Sequence, residues 1–279
     1  MSNDAQNRPI RVAAIQPDLV YGHPSENLDL IRRTVAGVVS DGPVDLVVLP
    51  EMFEGDRNPS DGSRATRFLC ELAREYDTHI VGGSCDVVGP ASQRNTCYVV
   101  HRAGEVVGQY DKRVLFSDET DSASPGHESG VFELDSVRVG VLICADMWHP
   151  ELAREMLDRI DVLAVPARTG VRTEAHVAYA RILWHSMALT RAMENGFAVV
   201  VADWPRATHQ IPHADGPRIH PTAGATTIVD PSHRPNIEQI QRTIDPARPD
   251  AISATVDLAA LAAYRTYRQS VGLLSGPSA

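Results

Sequence analysis

The sequence predicts an α/β fold with a mixed β-sheet, on three observations. Short apolar runs rich in β-branched residues, such as those within Asp45 to Leu49, Val139 to Ile143 and Val162 to Val165, read as strands covered on both faces. Segments with apolar residues at helical spacing alternate with these runs. The pair Thr96 to His101 and Val106 to Lys112, joined around Ala103-Gly104, reads as a hairpin, so part of the sheet is antiparallel. Strands of both kinds, with helices that need cover, suggest two sheets back to back with helices outside.

The elements follow in order. Arg11 to Gln16 is a first strand stopped by Pro17, and Asn27 to Val39 a helix with Leu28, Ile31, Val35 and Val38 on one face and Ser25 as N-cap. Asp45 to Leu49 ends at Pro50-Glu51. After a Gly/Asp/Ser loop, Phe68, Leu69, Leu72, Ala73 and Tyr76 mark a second helix. Strands are expected at Ile80 to Ser84 and at the two arms of the hairpin. Phe116 to Gly130 reads as an irregular loop of a length that is often functional. Val131 to Leu134 and the Val139 run are strands, and Pro150 to Ile160 is a helix whose first turn suits proline and an acid. Thr173 to Asn195 is the longest helix, apolar nearly all round and therefore sandwiched, with Gly196 to stop it. Phe197 to Ala202, Thr226 to Val229, Ile237 to Arg242 and Ile252 to Val256 complete the strands. Asp203 to Pro221 is a His/Pro-rich loop, and Asp257 to Tyr267 a last helix before a Gly/Ser/Pro tail. With no repeat and no linker, residues 1–279 read as one domain, with a core over about 10–267 and a tail over 268–279.

Composition narrows the function. Twenty-six Lys and Arg against 36 Asp and Glu give a net charge of −10, which argues against a nucleic-acid or anionic-membrane surface. Four scattered cysteines make no disulfide framework, and no CxxC pair offers a zinc site. Met1 to Pro9 lacks the layout of a signal peptide, and no apolar run reaches the roughly 18 residues of a membrane span. The expectation is a soluble cytoplasmic protein.

Three chemistry-bearing residues close buried strands, where open α/β sheets bind ligands: Glu51, Lys112 and Cys144. Cys144 sits between a strand end and a helix start, a setting that favours thiolate. Glu51 is a base for the thiol. Lys112, with the backbone N–H of Ala145, is a donor set for an oxyanion. Taken singly, each residue also reads as a buried thiol or a solvated strand-end charge.

The flanks carry a resemblance. Leu49-Pro50-Glu51-Met52-Phe53, Tyr110-Asp111-Lys112-Arg113-Val114-Leu115-Phe116 and Ile143-Cys144-Ala145-Asp146 through Pro150-Glu151 closely resemble, in order, the three signature blocks of the nitrilase (carbon–nitrogen hydrolase) superfamily. Arg191-Ala192-Met193-Glu194-Asn195 and Gly224 to Pro231 are similar to it as well, so the likeness runs from Arg11 to about Tyr267. The resemblance implies a four-layer αββα sandwich and a Glu-Lys-Cys site without metal or organic cofactor. Glu51 is then the general base, Cys144 the nucleophile, and Lys112 the stabiliser of the tetrahedral intermediate. Glu119, ahead of Pro125-Gly126, matches a second glutamate that orients the lysine and meets the substrate amino group. A homodimer or larger assembly is implied too, with the Tyr267 to Ala279 tail as a candidate bridge to a neighbour.

The branch is read from the residues after the nucleophile. Asp146 follows the pattern of amide- and carbamoyl-hydrolysing members, and Trp148 is similar to a tryptophan of the carbamoylputrescine amidase group. The arginine with which many carbamoyl-acid hydrolases grip a carboxylate near this point is absent. Arg168 and Arg172 are candidates to replace it, and the departure at Asp203-Trp204-Pro205-Arg206 is expected to shape the pocket. The leading reading is a hydrolase of a small linear amide or carbamoyl compound working through a thioester. An acyltransferase or amide synthase, a nitrilase, and an idle scaffold of the same fold are the alternatives. His209, His213 and His220 lie in a Pro-broken loop without metal-ligand spacing and read as solvated.

Overall fold

A computed structural model describes residues 8–274 apart from 57, 90–91, 118, 136, 212–215, 217 and 233–236. The chain opens with β1 (Ile10–Gln16), α1 (Pro24–Ser40), β2 (Leu46–Val48), α2 (Ser63–Tyr76) and β3 (His79–Val81). It continues through β4 (Cys85–Val88), β5 (Gln93–His101), β6 (Glu105–Asp111), a short α3 (Glu119–Ser122), β7 (Val131–Leu134) and β8 (Val137–Val141). Next come α4 (Pro150–Arg154), β9 (Val162–Pro166), α5 (Val177–Asn195), β10 (Ala198–Ala202), β11 (Thr208–Ile211) and β12 (Arg218–Pro221). The last elements are β13 (Thr227–Val229), α6 (Ile237–Ile240), β14 (Gln241–Thr243), β15 (Asp250–Val256) and α7 (Leu258–Ser270).

Two mixed sheets form an αββα sandwich. The first runs β15-β1-β2-β3-β5-β4 with β6 added on β5, and the second β14-β13-β10-β9-β8-β7. In the first sheet β1, β2 and β3 are parallel, as are β8, β9 and β10 in the second, and every other pair is antiparallel. The period-two alternation of strands assigns the faces. Val12, Ala14, Leu46 and Val48 turn inward toward a core shared with Val139, Val141, Val199 and Val201 of the other sheet. Ala13, Ile15, Val47 and Leu49 turn the other way, onto Ile31 and Val35 of α1 and Leu69 and Leu72 of α2. Each such Leu, Ile or Val taken fully out of water contributes about 1.5–3 kcal/mol.

Several boundaries differ from expectation, each for a local reason. The first helix starts at Pro24, whose fixed φ suits a first helical position, so His23 rather than Ser25 precedes it. The longest helix begins at Val177, after a single 3₁₀ turn over Glu174–His176. It is not sandwiched within the chain: Trp184, Ala188 and Ala192 are buried, whereas Tyr179 and Ile182 are exposed. The helix after Pro150 lasts only to Arg154 before breaking into turns. Residues 203–221 include the hairpin β11–β12, and the expected strand from Ile237 splits into α6 and β14. The tail as far as Leu274 folds back on its own chain, with Leu274 buried and its N–H on the Arg268 carbonyl; residues 275–279 lie outside the described part.

Candidate active site

The site forms where strand ends of the two sheets meet. Pro50 has no N–H for a ladder, so the chain leaves β2 and turns at Glu51 and Met52, the latter left-handed at φ 55°. The second sheet pins that turn. Glu51 N donates to the Ala167 carbonyl at 3.2 Å, and Trp204 Nε1 donates to the Glu51 carbonyl at 2.7 Å. Lys112 follows β6, with its N–H on the Asn95 carbonyl at 2.9 Å and its carbonyl taking the Gly126 N–H at 2.8 Å. Gly126 is required there: a Cβ would stand 2.2 Å from the Asp111 carbonyl oxygen.

The strand that leads to Cys144 stops at Val141, short of the cysteine. Cys144 opens a five-residue 3₁₀ turn, Cys144–Trp148, and is itself left-handed at φ 45°. A non-glycine residue held there costs on the order of 1–3 kcal/mol and points to a fixed functional geometry. Asp146 fastens the turn. Its buried carboxylate accepts from Ile143 N at 2.9 Å, Tyr110 hydroxyl at 2.8 Å, Val114 N at 2.7 Å and Arg113 N at 3.1 Å. One carboxylate thus joins the Cys144 turn to the segment that follows Lys112.

Glu51 and Lys112 are almost wholly enclosed, at 5% and 2% exposure. Lys112 Nζ donates to Glu51 Oε1 at 2.8 Å and to Glu119 Oε2 at 2.7 Å. Asn95 Nδ2 donates to the same two carboxylates, at 3.0 Å and 2.8 Å. Burial works against the charge on Lys112, but Glu51, Cys144 and Glu119 outweigh it and raise its pKa. Burial also raises the Cys144 thiol well above its ordinary value; Glu51 adds to this as a charge and as hydrogen-bond acceptor, and Lys112 opposes it only in part. The expectation of a favoured thiolate is therefore corrected. One short turn supplies too little dipole to offset desolvation, and the thiol keeps its proton beside a carboxylate that can take it.

Seven of the residues singled out in the sequence border one cavity of about 140 Å³: Glu51, Lys112, Glu119, Cys144, Ala145, Trp148 and Arg168; Arg172, the other candidate to grip a carboxylate, is not among its lining residues. The Cys144 thiol points at the Arg168 carbonyl at 3.7 Å, and Trp148 stands half exposed at the rim. Asn95 was not legible, because nothing in a β-branched strand marks one amide as a site residue. Tyr21 and Trp184, which also line the cavity, carry no local motif either. A larger cleft of about 340 Å³ elsewhere is bordered by Arg11, Asp230, Arg242 and Ser253. It holds no nucleophile, and Arg11 is already bonded to Ser253 and the Gly42 carbonyl.

Of the three loop histidines, His209 is buried, bonded to Thr222 at 3.1 Å and edge-on to Trp204, so it is not the solvated residue expected. His213 lies outside the described residues. Among the described residues, the side chains close enough to share a metal ion are His79, His101 and Asp135. Both rings there take a backbone N–H on Nδ1, from Arg102 and from Ala103, and each Nε2 lies against Asp135, at 3.0 Å and 2.8 Å, with Arg102 Nε also 3.2 Å from that of His79. The Arg102 guanidinium 3.0 Å from the same carboxylate completes a hydrogen-bonded clasp that does not fit a cation.

Comparison with known proteins agrees with this architecture. The carbon–nitrogen hydrolase family model matches residues 11–266. A 2-oxoglutaramate amidase of Bacillus subtilis is 31% identical over 196 residues, 66% of this chain and 72% of the relative. Omega-amidase NIT3 of Saccharomyces cerevisiae is 26% identical over 81% of each chain. The crystal structure of Saccharomyces cerevisiae Nit3, a member of branch 10 of the nitrilase superfamily, superposes with a TM-score of 0.79 at 23% identity, covering 99% of this chain and 98% of that one. With its sandwich, its family match and amidases among its relatives, the chain belongs to the carbon–nitrogen hydrolase family of the nitrilase superfamily.

Proposed function

We propose that the chain hydrolyses the amide bond of a small linear substrate through a thioester on Cys144, with residues 10–267 acting as one catalytic unit. The observation that carries this reading is the placement of the Cys144 thiol beside Glu51, with Lys112 held between Glu51 and Glu119, in a single small cavity.

In this mechanism Cys144 sulfur attacks the amide carbon while its proton passes to Glu51. Lys112 Nζ and the Ala145 N–H hold the oxygen that becomes negative. The C–N bond then breaks, and the departing nitrogen takes the proton from Glu51 and leaves as ammonia. Water gives a proton to Glu51 and attacks the thioester; the C–S bond breaks, and the sulfur recovers a proton from Glu51. Glu119 and Asn95 keep Lys112 and Glu51 fixed throughout, so no group reorganises at the moment of charge development.

The cavity volume limits the substrate to a short chain. The named relatives act on 2-oxoglutaramate or on omega-amides. By that likeness we assign an amide, rather than a nitrile, of a short acid as substrate; a homo-oligomer as the working form is proposed from the sequence resemblance alone. The test is an ammonia-release screen over short amides, carbamoyl compounds and nitriles, with Cys144→Ala as control. Hydroxylamine added during turnover traps a thioester as the hydroxamate. Ammonia from nitriles but not amides, or release unaffected by Cys144→Ala, would overturn the assignment.

A further inference from the structure

Arg168 follows β9 by two residues and lines the catalytic cavity. Its Nε and Nη2 atoms are buried, and neither finds a hydrogen-bond acceptor among the described residues. What the guanidinium does touch is aromatic: its carbon stands 5.3 Å from the Tyr21 ring centre and 5.9 Å from that of Trp204. Cation–π contact fixes the plane of the group and offsets part of the desolvation, but it leaves the N–H donors unfilled.

We propose that Arg168 is the specificity anchor of this enzyme and grips a carboxylate on the substrate, at the end away from the scissile amide. This rests on the amidase reading above. The chemistry selects the ligand. A planar fork of N–H donors matches a carboxylate in two parallel hydrogen bonds, which a neutral methyl or amide end does not supply. The other cation of the cavity, Lys112, is already held by Glu51 and Glu119. The turn Cys144–Trp148 brings no cation of its own. Among the described residues that line the cavity, Arg168 is therefore the cation with unfilled donors.

The platform behind it is rigid. Tyr21 and Trp204 stack at 4.9 Å, and Trp204 is tied to the Glu51 carbonyl. Asp203, fully buried, takes the N–H groups of Thr169, Trp204 and Ala225, and so fixes the backbone on both sides of the arginine and its platform. The residues that hold the anchor also hold the base. A substrate carboxylate seated on Arg168 thus locates the amide carbon with respect to Cys144 through a preorganised frame.

The experiment compares kcat/KM for glutaramate and for valeramide, five-carbon amides that differ in the terminal carboxylate. The wild-type protein is expected to favour glutaramate, and the glutaramate-to-valeramide ratio to fall about 10- to 150-fold in Arg168→Met, chiefly through KM. Arg168→Lys keeps the charge without the fork and is expected to restore part of the ratio. Should Arg168→Met not fold, inhibition of valeramide hydrolysis by glutarate, read in wild type and in Arg168→Lys, decides the matter: weaker inhibition in the lysine variant supports the anchor, and equal inhibition overturns it. Equal turnover of the two amides by wild type, or a ratio unchanged in Arg168→Met, also overturns the anchor while leaving the amidase assignment standing. Ammonia from neither amide removes both.

Discussion

The Tyr110 hydroxyl donates to the Asp146 carboxylate at 2.8 Å, with both residues closed off from solvent. Three backbone N–H groups, of Ile143, Arg113 and Val114, converge on the same carboxylate. Asp146, two places after Cys144, is therefore a clamp between the lysine segment and the cysteine turn. Asp146→Ala strands four donors, two of them buried and two part-buried, and is expected to lose about 3–5 kcal/mol of unfolding free energy, whereas Tyr110→Phe removes one donor and loses about 1 kcal/mol. Urea unfolding of the two variants measures this. A loss below 1 kcal/mol for the alanine variant would contradict the clamp.

The ionisation of the nucleophile gives a second expectation. Burial first, and then Glu51, raise the Cys144 thiol, so the resting enzyme holds it protonated through neutral pH. Alkylation by iodoacetamide in the absence of substrate is expected to keep climbing beyond pH 9, with no plateau between pH 5 and 8. Stability has the same sign. A thiol and a lysine whose folded pKa values lie above their unfolded ones stabilise fully below the unfolded values and lose that contribution as pH rises past them. The enzyme should therefore weaken above about pH 9. An alkylation plateau near pH 6 would show a thiolate instead.

Cys144, Glu51 and Lys112 were legible because each closely follows a strand, and such positions are written in the sequence as apolar runs closed by a polar residue. Glu119 was reachable only through its spacing to Pro125-Gly126. Asn95 was out of reach: it meets Glu51 and Glu119 only because β5 lies between β3 and β6, a neighbourhood set by sheet order and not by local pattern. The same holds for Tyr21 and Trp204, which meet across 183 positions to make the platform under Arg168. The hairpin β11–β12 was hidden by its prolines and histidines, which read as loop until pairing is known. The direction of the Cys144 shift was missed because strand-then-helix order says nothing of how dry the turn is.

Three histidines far apart in the fold make acid stability a third test. Burial pushes His79, His185 and His209 down to about 4. The unfolded chain takes up protons near pH 6.5, while the folded chain refuses them. Their stabilising contribution is complete above pH 6.5 and is lost as pH falls from there through about 4. Discounted for solvent screening of partly wetted rings, each is expected to cost on the order of 1 kcal/mol over that window. Urea midpoints at pH 7.5 and 5.0 measure the loss, and His209→Gln is expected to shrink it. An unchanged pH dependence in that variant would rule out His209 as a contributor.

The last test reaches the base through the backbone behind it. Gly83, just past β3, sits at φ 62°, and a Cβ there would lie 2.2 Å from the Pro50 carbonyl oxygen and 3.2 Å from both Leu49 Cβ and a Phe53 ring carbon. Pro50 is the residue before Glu51, so any side chain at Gly83 pushes on the turn that aims the base. The neighbours are backbone and fully buried core, with no flexible end to move aside. Gly83→Ala is expected to lose about 1–3 kcal/mol of stability from the left-handed conformation alone, and more from the contact. If the variant still folds at low temperature, a shifted Glu51 carboxylate should lower kcat about 100-fold with KM changed far less, since a displacement near 1 Å carries a penalty of that order. Because Glu51 N is bonded to Ala167 and Trp204 Nε1 to the Glu51 carbonyl, the strain cannot be relieved by rotating that peptide without breaking a link to the second sheet. Equal kcat in Gly83→Ala and wild type would mean that the turn yields elsewhere, and the rigidity argued for the base would be lost with it.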